Sequence, residues 1–259
     1  MGSLVFVLAV IAAIVIAVFS YRQNKKRRDA LQALAARLGL RFYPGDAFGI
    51  PTAYGDCRLC SQGHSKTASN IIAGPMGPGE VRYFDYRYTT GSGKDQQTHH
   101  NSACAFHAPM TFKRLIVRPE NIFDKAAGFL GFEDIDLDSA EFNKRFFVKC
   151  DDKKFAYDVL SQRAMDFFLA RPGITMETGW NYLLFDYDGH LAPEGVERLI
   201  RDSAAFIELL PNYLKEERGL AGPARRAVER LSQTPEPTDK TRFDGIEPRR
   251  RSSDGQSQG

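Results

Sequence analysis

The chain has 259 residues, of which 43% are hydrophobic and 12% aromatic, which is enough for at least one domain with a buried core. Its 35 basic and 32 acidic residues give a net charge of +3, but five of the positive charges lie in one short run near the N-terminus. The rest of the chain is therefore slightly acidic, which argues against a nucleic-acid partner.

An unbroken apolar run, LVFVLAVIAAIVIAVF, occupies residues 4–19. With its flanking residues it predicts a helix of about 20 residues and roughly 30 Å, which matches the hydrocarbon core of a bilayer. A cleaved signal peptide would carry its positive charges before the apolar stretch, whereas here they follow it. We therefore predict that residues 1–21 are a retained transmembrane anchor, with a buried core helix as the alternative.

The charges behind the anchor predict its orientation and its contacts. By the positive-inside rule the flank RQNKKRR stays cytoplasmic, so we expect a single-pass protein of the bacterial inner (plasma) membrane with its N-terminus outside and its domain in the cytoplasm. The lipid bilayer is the first expected partner and other membrane proteins are the second. Five side chains are predicted to contact anionic lipid headgroups at about 1 kcal/mol each: Arg22, Lys25, Lys26, Arg27 and Arg28.

Residues 22–42 are predicted to form a basic juxtamembrane segment and an amphipathic helix, with Leu31, Leu34 and Leu38 on one face and Gly39 as its terminator. Residues 43–217 are predicted to form the cytoplasmic domain. In its first half, aromatic and β-branched residues between glycine-rich turns predict strands. These are Cys57–Gln62, Asn70–Gly74, Val81–Thr89, Ser102–Ala108 and Phe112–Arg118, with a loop, GSGKDQQTHHN, after the third.

The second half alternates helices with strands. Short connections between successive strands favour antiparallel pairing, so we predict an α+β fold: an N-terminal transmembrane helix followed by a domain of mainly antiparallel sheet with packing helices. Residues 218–259 are polar and rich in Pro, Gly and Ser, which predicts a mostly disordered tail. The elements are a helix at Asn121–Phe132, a strand at Phe146–Cys150, a helix at Lys153–Ala170, strands at Ile174–Glu177 and Trp180–Asp186, and a helix at Pro193–Glu217 broken near Pro211.

Three short motifs stand out along this part of the chain: the strand FDYRY at 84–88, the turn RPE at 118–120 and the strand start EFNKRF at 141–146. With them, residues 28–217 resemble an uncharacterised family of bacterial single-pass membrane proteins with an FDYxY strand, an RPE turn and an EFNxRF motif. The resemblance implies the same architecture, an anchor followed by a sheet domain, and it implies no particular activity.

The stretch LLFDYDGH at residues 183–190 matches the opening of haloacid-dehalogenase-type phosphatases, with Asp186 as the nucleophile and Asp188 as the acid/base. Such enzymes take their remaining groups from later βα units, and only 73 residues follow Asp186. His190 also stands where that family usually has Thr. We keep a phosphatase-like hydrolase as an alternative and favour a core strand that ends in a turn at Gly189.

A second group of residues has the ligand types of a zinc site. On a strand, however, Cys57 and Cys60 would point to opposite faces, so chelation would require a turn between them. A zinc-binding domain is thus a second alternative, and in the cytoplasm the cysteines are expected as free thiols. The candidate ligands are Cys57, Cys60, His64, Cys104 and His107.

The aromatic strand offers one candidate partner surface, since Tyr83, Phe84, Tyr86 and Tyr88 would bind another protein if one face were exposed and would be core if both were covered. The interpretation that we favour is a non-enzymatic protein, without a cofactor or a metal, that takes part in binding or assembly at the inner-membrane face. Anchoring raises the effective concentration of its domain toward neighbouring membrane proteins.

Overall fold

The computed structural model describes residues 2–120, 135 and 137–217. One sheet of eight strands, all paired antiparallel, has the order β1-β2-β3-β4-β8-β7-β5-β6. The strands are β1 (Arg41–Gly45), β2 (His64–Met76), β3 (Gly79–Thr90), β4 (Gln97–His107), β5 (Leu115–Pro119), β6 (Phe146–Cys150), β7 (Thr175–Thr178) and β8 (Tyr182–Asp188).

Helices pack on both sides of this sheet, so the predicted fold class is confirmed: an apolar N-terminal helix followed by an antiparallel sheet with packing helices. The helices are α1 (Gly2–Leu38), α2 (Ile50–Ala53), α3 (Arg58–Ser61), α4 (Ala140–Arg145), α5 (Lys153–Val159), α6 (Gln162–Leu169), α7 (Pro193–Ala205) and α8 (Asn212–Glu217), with 3-10 turns at Gly93–Asp95 and Phe206–Leu209.

Helix α1 joins the apolar N-terminal run to the domain without a break. Its 37 residues correspond to about 55 Å. Within the described part of the chain, the helix from Val5 to Leu38 is long and apolar enough to cross a membrane, judged by length and composition. The described side chains of its apolar run are exposed, whereas Leu31, Leu34 and Ala35 are buried in the core of the domain.

The C-terminus of α1 is closed by glycine, as predicted. Gly39 has φ 70°, a left-handed conformation that costs glycine little because it has no Cβ. The Leu40 amide donates to the Ala35 carbonyl at 2.9 Å and the Gly39 amide to the Ala36 carbonyl at 3.1 Å, which is the Schellman pattern of hydrogen bonds. The helix therefore ends against the sheet and the chain turns directly into β1.

The two faces of the sheet carry separate cores. The face covered by the second half of α1 and by α7, here called the α1 face, buries Tyr83 of β3. The opposite face, covered by α2 and α3 and here called the α2 face, buries Phe84, Tyr86 and Tyr88. Because side chains alternate along a strand, all four rings of the aromatic strand are buried and form core on one side or the other. The interpretation of this strand as a partner surface is therefore wrong.

Several predicted strands are confirmed, and some are longer than predicted. Val81–Thr89 lies within β3, and Phe146–Cys150 coincides with β6. Strand β4 begins at Gln97, so the second part of the predicted GSGKDQQTHHN loop is strand. The polar sequence there gives no apolar alternation, but pairing with β3 continues to Thr90. Cross-strand pairing has thus overridden local composition.

Three local predictions are wrong. Cys57–Gln62 is not a strand, because Cys57 precedes the short helix α3. The predicted helix Lys153–Ala170 is two helices, since the chain leaves helical geometry at Leu160, whose side chain is buried. The predicted long helix from Pro193 ends at Ala205 and continues as a 3-10 turn. The predicted helix at 121–132 and the predicted tail at 218–259 lie outside the described residues.

Candidate functional site

An ion pair joins α1 to the sheet where the helix first meets the domain. Arg27 donates from Nε to Asp85 Oδ2 at 2.8 Å and from Nη2 to Asp85 Oδ1 at 2.7 Å. The same guanidinium donates from Nη1 to the Leu191 carbonyl at 2.6 Å and from Nη2 to the Tyr83 hydroxyl at 3.1 Å. The planar fork of arginine fits this two-point contact with a carboxylate, which fixes orientation as well as charge.

Asp85 lies in the middle of β3 on the α1 face, and its side chain is 3% exposed. Asn70 Nδ2 donates to Oδ2 at 2.8 Å, and the Tyr83 hydroxyl donates to Oδ1. Burial alone would raise the pKa of Asp85. The hydrogen bonds and the positive charge of Arg27, together with the hydrogen bonds from Tyr83 and Asn70, outweigh the effect of burial and hold the pKa below its usual value. The carboxylate is therefore ionised and fully partnered.

Asn70 reaches Asp85 because β2 is irregular at this point. The register between β2 and β3 shifts between Ser69 and Ile72, and Asn70 has φ 51°. Asparagine is among the few residues that adopt this left-handed conformation readily. The bulge turns the amide of Asn70 toward Asp85, as bulges near functional sites commonly redirect a side chain.

Beside this ion pair lies an open pocket of about 350 Å³, between α1, strands β2 to β4 and the chain after β8. Among the described residues, Arg28 and Arg87 make no ion pair and are exposed. His100 lies directly opposite Arg87 across the β3–β4 ladder. The polar lining includes Asn24, Arg28, Ser69, Arg87, His100 and His190.

The two histidines of the pocket are in contact. The His100 and His190 rings are 4.9 Å apart between centroids, at an interplanar angle of 75°. Partial burial lowers the pKa of His190; the carboxylate of Asp85 opposes this change, while Arg27 and His100 add to it. The lowered pKa favours the neutral form of His190, which can donate or accept a hydrogen bond.

The position of the pocket along α1 relates it to the apolar run. Arg27 contacts Asp85, which also accepts a hydrogen bond from Asn70 of β2, whereas Leu40 packs against Gly74, four residues further along β2. Helix and strand thus run in the same direction away from the apolar run. The pocket therefore lies at the end of the sheet that is nearer the apolar run.

The phosphatase arrangement is not present at Asp186. Strand β8 is antiparallel to both of its neighbours, β4 and β7, whereas the nucleophile of such enzymes stands on a parallel strand. Asp186 is buried on the α2 face, 4.0 Å from Arg58 Nη2 and 3.3 Å from Asn101 Nδ2, while Asp188 is exposed at the strand end. Burial raises the pKa of Asp186 to about 6, with Arg58 lowering it and Glu177 raising it. The alternative of a hydrolase that uses this motif is therefore wrong.

The predicted zinc ligands are scattered over the fold. Cys57 and Cys60 are buried on the α2 face, whereas Cys104 is buried on the α1 face, 3.2 Å from Ser203 Oγ. His107 is buried against the Tyr54 hydroxyl, and His64 is exposed at the start of β2. No group of three or more potential ligands meets among the described residues, so the zinc alternative is wrong.

Of the five basic residues predicted to contact lipid headgroups, Arg27 differs from the others. Four of the five N–H groups of its guanidinium are used within the domain, and its side chain is 16% exposed. Arg22, Lys25, Lys26 and Arg28 are exposed, and for them headgroup contact stays a prediction.

Sequence reasoning missed Asp85, Asn70, Arg87, His100 and His190 as parts of one site. Asp85 did carry a signal, because a carboxylate at a central position of an aromatic strand must be partnered when both faces of the sheet are covered. Its partner lies 58 residues away on another element, and no local pattern identifies it.

Comparison with known proteins adds little to this description. No family model matches the chain, and no curated protein matches it significantly. One solved structure with detectable similarity is the crystal structure of the mycobacterial trehalose monomycolate transport factor A, TtfA, with a TM-score of 0.47 and 14% sequence identity over 73% of this chain and 97% of that chain. A similarity of this size defines neither a family nor a ligand.

Proposed function

We propose that this protein is a non-enzymatic, membrane-anchored binding domain that holds its partners at a fixed height and orientation at the cytoplasmic face of the inner membrane. The observation that carries the proposal is the continuity of α1, which passes from the apolar run into the domain core as one helix. A flexible tether would allow the domain to rotate freely, whereas a continuous helix does not.

The contact between the second half of α1 and the sheet, here called the joint, supports this proposal. The Arg27–Asp85 pair and the buried residues Leu31, Leu34 and Ala35 hold the second half of α1 on the sheet. Any rotation of the transmembrane helix about its axis is therefore transmitted to the whole domain. Such rigidity would let the domain present one surface to neighbouring membrane proteins. The family that the sequence resembles has the same arrangement of an anchor followed by a domain.

The proposal is tested by changing the helical phase between membrane and domain. Two alanines inserted between Arg22 and Gln23 rotate the domain by about 200° and lift it about 3 Å, whereas four alanines rotate it by only about 40° while lifting it about 6 Å. Both insertions leave Asn24 and all later residues in register. Partners are captured by cross-linking in intact membranes and compared with those of the unmodified protein.

We expect the two-residue insertion to lose the cross-linked partners and the four-residue insertion to keep most of them. An orientation-dependent platform would be contradicted if both insertions kept the same partners as the unmodified chain, since the domain would then act as if on a flexible tether.

The cytoplasmic location is tested separately by thiol labelling of a Ser92→Cys variant, at the exposed turn between β3 and β4. Burial raises the pKa of Cys60 and of Cys104 to about 12, and Cys57 is buried as well, so these native thiols give a low background. Cys150 is only half-buried and is replaced by serine in the labelled variant and in its control. An impermeant maleimide is expected to label Cys at position 92 only after the membrane is opened. Labelling in intact spheroplasts would place the domain outside.

A further inference from the structure

The pocket beside the Arg27–Asp85 pair carries positive charge that the fold does not use. Among the described residues, Arg28 on α1 and Arg87 on β3 line it without an ion-pair partner. The two come from different elements and face one space. Arginine pairs with carboxylates or phosphates, and two such groups around one cavity create a site for an anion.

The carboxylate at the edge of the pocket does not cancel this charge. Asp85 accepts hydrogen bonds from Arg27, Asn70 and Tyr83, so its negative charge is already neutralised by the guanidinium of Arg27. The net charge contributed by the side chains that line the pocket is therefore that of Arg28 and Arg87. His100, the cross-strand neighbour of Arg87, and His190 add hydrogen-bonding nitrogens to the lining.

The height of the pocket favours a lipid as the source of the anion. Asn24 and Arg28 follow Tyr21 by about 4.5 and about 10 Å along the helix axis. The headgroup layer occupies about 5–8 Å on each side of the hydrocarbon core. The α1 wall of the pocket thus begins at the level where the phosphate of a phospholipid lies. The volume of about 350 Å³ is also within the usual range of ligand pockets, which suits a headgroup.

We propose that this pocket binds the phosphate of one anionic phospholipid, with Arg28 and Arg87 as the charged contacts and His100 and His190 as hydrogen-bonding contacts. The inference rests on the proposed function, because it requires the pocket end of the sheet to face the membrane. It differs from general attraction between basic residues and anionic lipid, since it predicts one saturable site formed by residues that are distant in sequence.

The test uses the full-length protein in detergent, titrated with phosphatidylglycerol and, as reference, with a neutral diacylglycerol lipid that has the same acyl chains. Native mass spectrometry counts the bound lipids. The double variant Arg28→Ala/Arg87→Ala is compared with Lys25→Ala/Lys26→Ala, which removes the same charge from exposed residues outside the pocket. All four side chains are exposed, so neither variant threatens folding, and thermal unfolding checks this.

We expect one phosphatidylglycerol to bind saturably to the unmodified protein, the pocket variant to weaken this binding about tenfold or more, and the lysine variant to keep the saturable site. Equal weakening by the two variants would overturn the proposal, because it would show unspecific attraction. Equal binding of the neutral lipid would also overturn it, since no phosphate would be required.

A further arm distinguishes a lipid from a soluble phosphate. Glycerol 1-phosphate shares the headgroup chemistry without the acyl chains, and we expect it to compete only weakly. If it binds as tightly as phosphatidylglycerol, the site takes a soluble ligand and the lipid assignment fails. Loss of lipid binding in the pocket variant with unchanged cross-linked partners would leave the proposed platform intact, so the two proposals fail separately.

Discussion

Two buried aspartates, Asp85 on β3 and Asp186 on β8, lie on opposite faces of the same sheet and have opposite surroundings. Asp85 is held by a two-point contact with Arg27, and its pKa is lowered. Asp186 faces Arg58 at 4.0 Å and Asn101 at 3.3 Å, and burial raises its pKa to about 6. The carboxylate in the recognisable DYDG motif thus has weaker partners than one that no motif marked.

The difference shows how a partner's geometry decides the state of a buried charge. A desolvated carboxylate stays ionised only when its lost hydration is replaced by well-placed donors. Arg27, Tyr83 and Asn70 supply such donors to Asp85, whereas the contacts of Asp186 with Arg58, at 4.0 Å, and with Asn101, at 3.3 Å, are longer. We therefore expect Asp85 to be structurally essential and Asp186 to be replaceable.

Substitutions at Asp85 and at Asp186 should differ most in their effect on the free energy of unfolding. Asp85→Ala leaves the buried guanidinium of Arg27 without its counter-charge, and we expect a loss of about 3–5 kcal/mol in the free energy of unfolding. Asp186→Asn should be neutral or stabilising near neutral pH, since a neutral amide avoids the cost of burying charge. Thermal and denaturant unfolding in detergent measure both, and a similar loss at the two positions would contradict the comparison.

The pH dependence of stability should have opposite signs for the two groups. The folded-state pKa of Asp186, about 6, lies above its unfolded value of about 3.9, so the folded protein binds more protons between these values. Its contribution to stability therefore falls as pH rises from about 4 to 6, by at most about 3 kcal/mol. Asp85, whose pKa is lowered, contributes stability above about pH 4 that is lost at lower pH.

Unfolding measured from pH 3 to 8 tests this prediction. Asp186→Asn should gain stability relative to the unmodified protein as pH rises from 4 to 6 and then keep that gain. Asp85→Ala should be less stable than the unmodified protein above pH 4, and this difference in stability should shrink in more acidic solution. A deficit of Asp85→Ala that does not change with pH would show that the ionised carboxylate is not what stabilises the joint.

Tyr83→Phe should lower the free energy of unfolding by less than Asp85→Ala does. The substitution removes a hydroxyl that donates to Asp85 Oδ1 and accepts from Arg27, while the ring remains in the core. We expect a loss of about 1–2 kcal/mol, smaller than for Asp85→Ala because Arg27 and Asn70 still hold the carboxylate. A loss as large as that of Asp85→Ala would mean that the hydroxyl, and not the guanidinium, dominates the site.

Arg37→Ala gives the smallest effect and serves as a control on the same helix. Arg37 pairs with Glu197 of α7 at 2.5 Å, but its side chain is 62% exposed. Exposed ion pairs contribute little because water and salt screen them. We expect no measurable change in unfolding, and a large change would show that charge pairs along α1 stabilise the joint regardless of burial.

The sequence was informative where local patterns and core packing agree. The apolar run, the end of α1 at Gly39, strand β3 and strand β6 all follow from periodicity and turn residues. The α+β class follows from short connections between strands. These features need only neighbours along the chain, so one sequence suffices to predict them.

The rest depends on contacts between distant segments. The segment after Cys57 lies between turn residues, as a short strand would, but it forms a short helix that covers the α2 face. Strand β4 is extended by pairing with β3 despite its polar sequence. The candidate site depends even more on contacts between distant segments, because α1, β2, β3, β4 and the chain after β8 each contribute part of it. No single stretch carries the pattern of that pocket.

Hydrogen–deuterium exchange of the full-length protein in lipid nanodiscs tests most directly whether α1 enters the domain as one rigid helix. We expect the amides of residues 22–30 to exchange as slowly as those of residues 31–38, because the helix continues and the Arg27–Asp85 pair holds it. Exchange of residues 22–28 at the rate of an unstructured chain would contradict it, since the anchor and the domain would then be joined by a flexible linker.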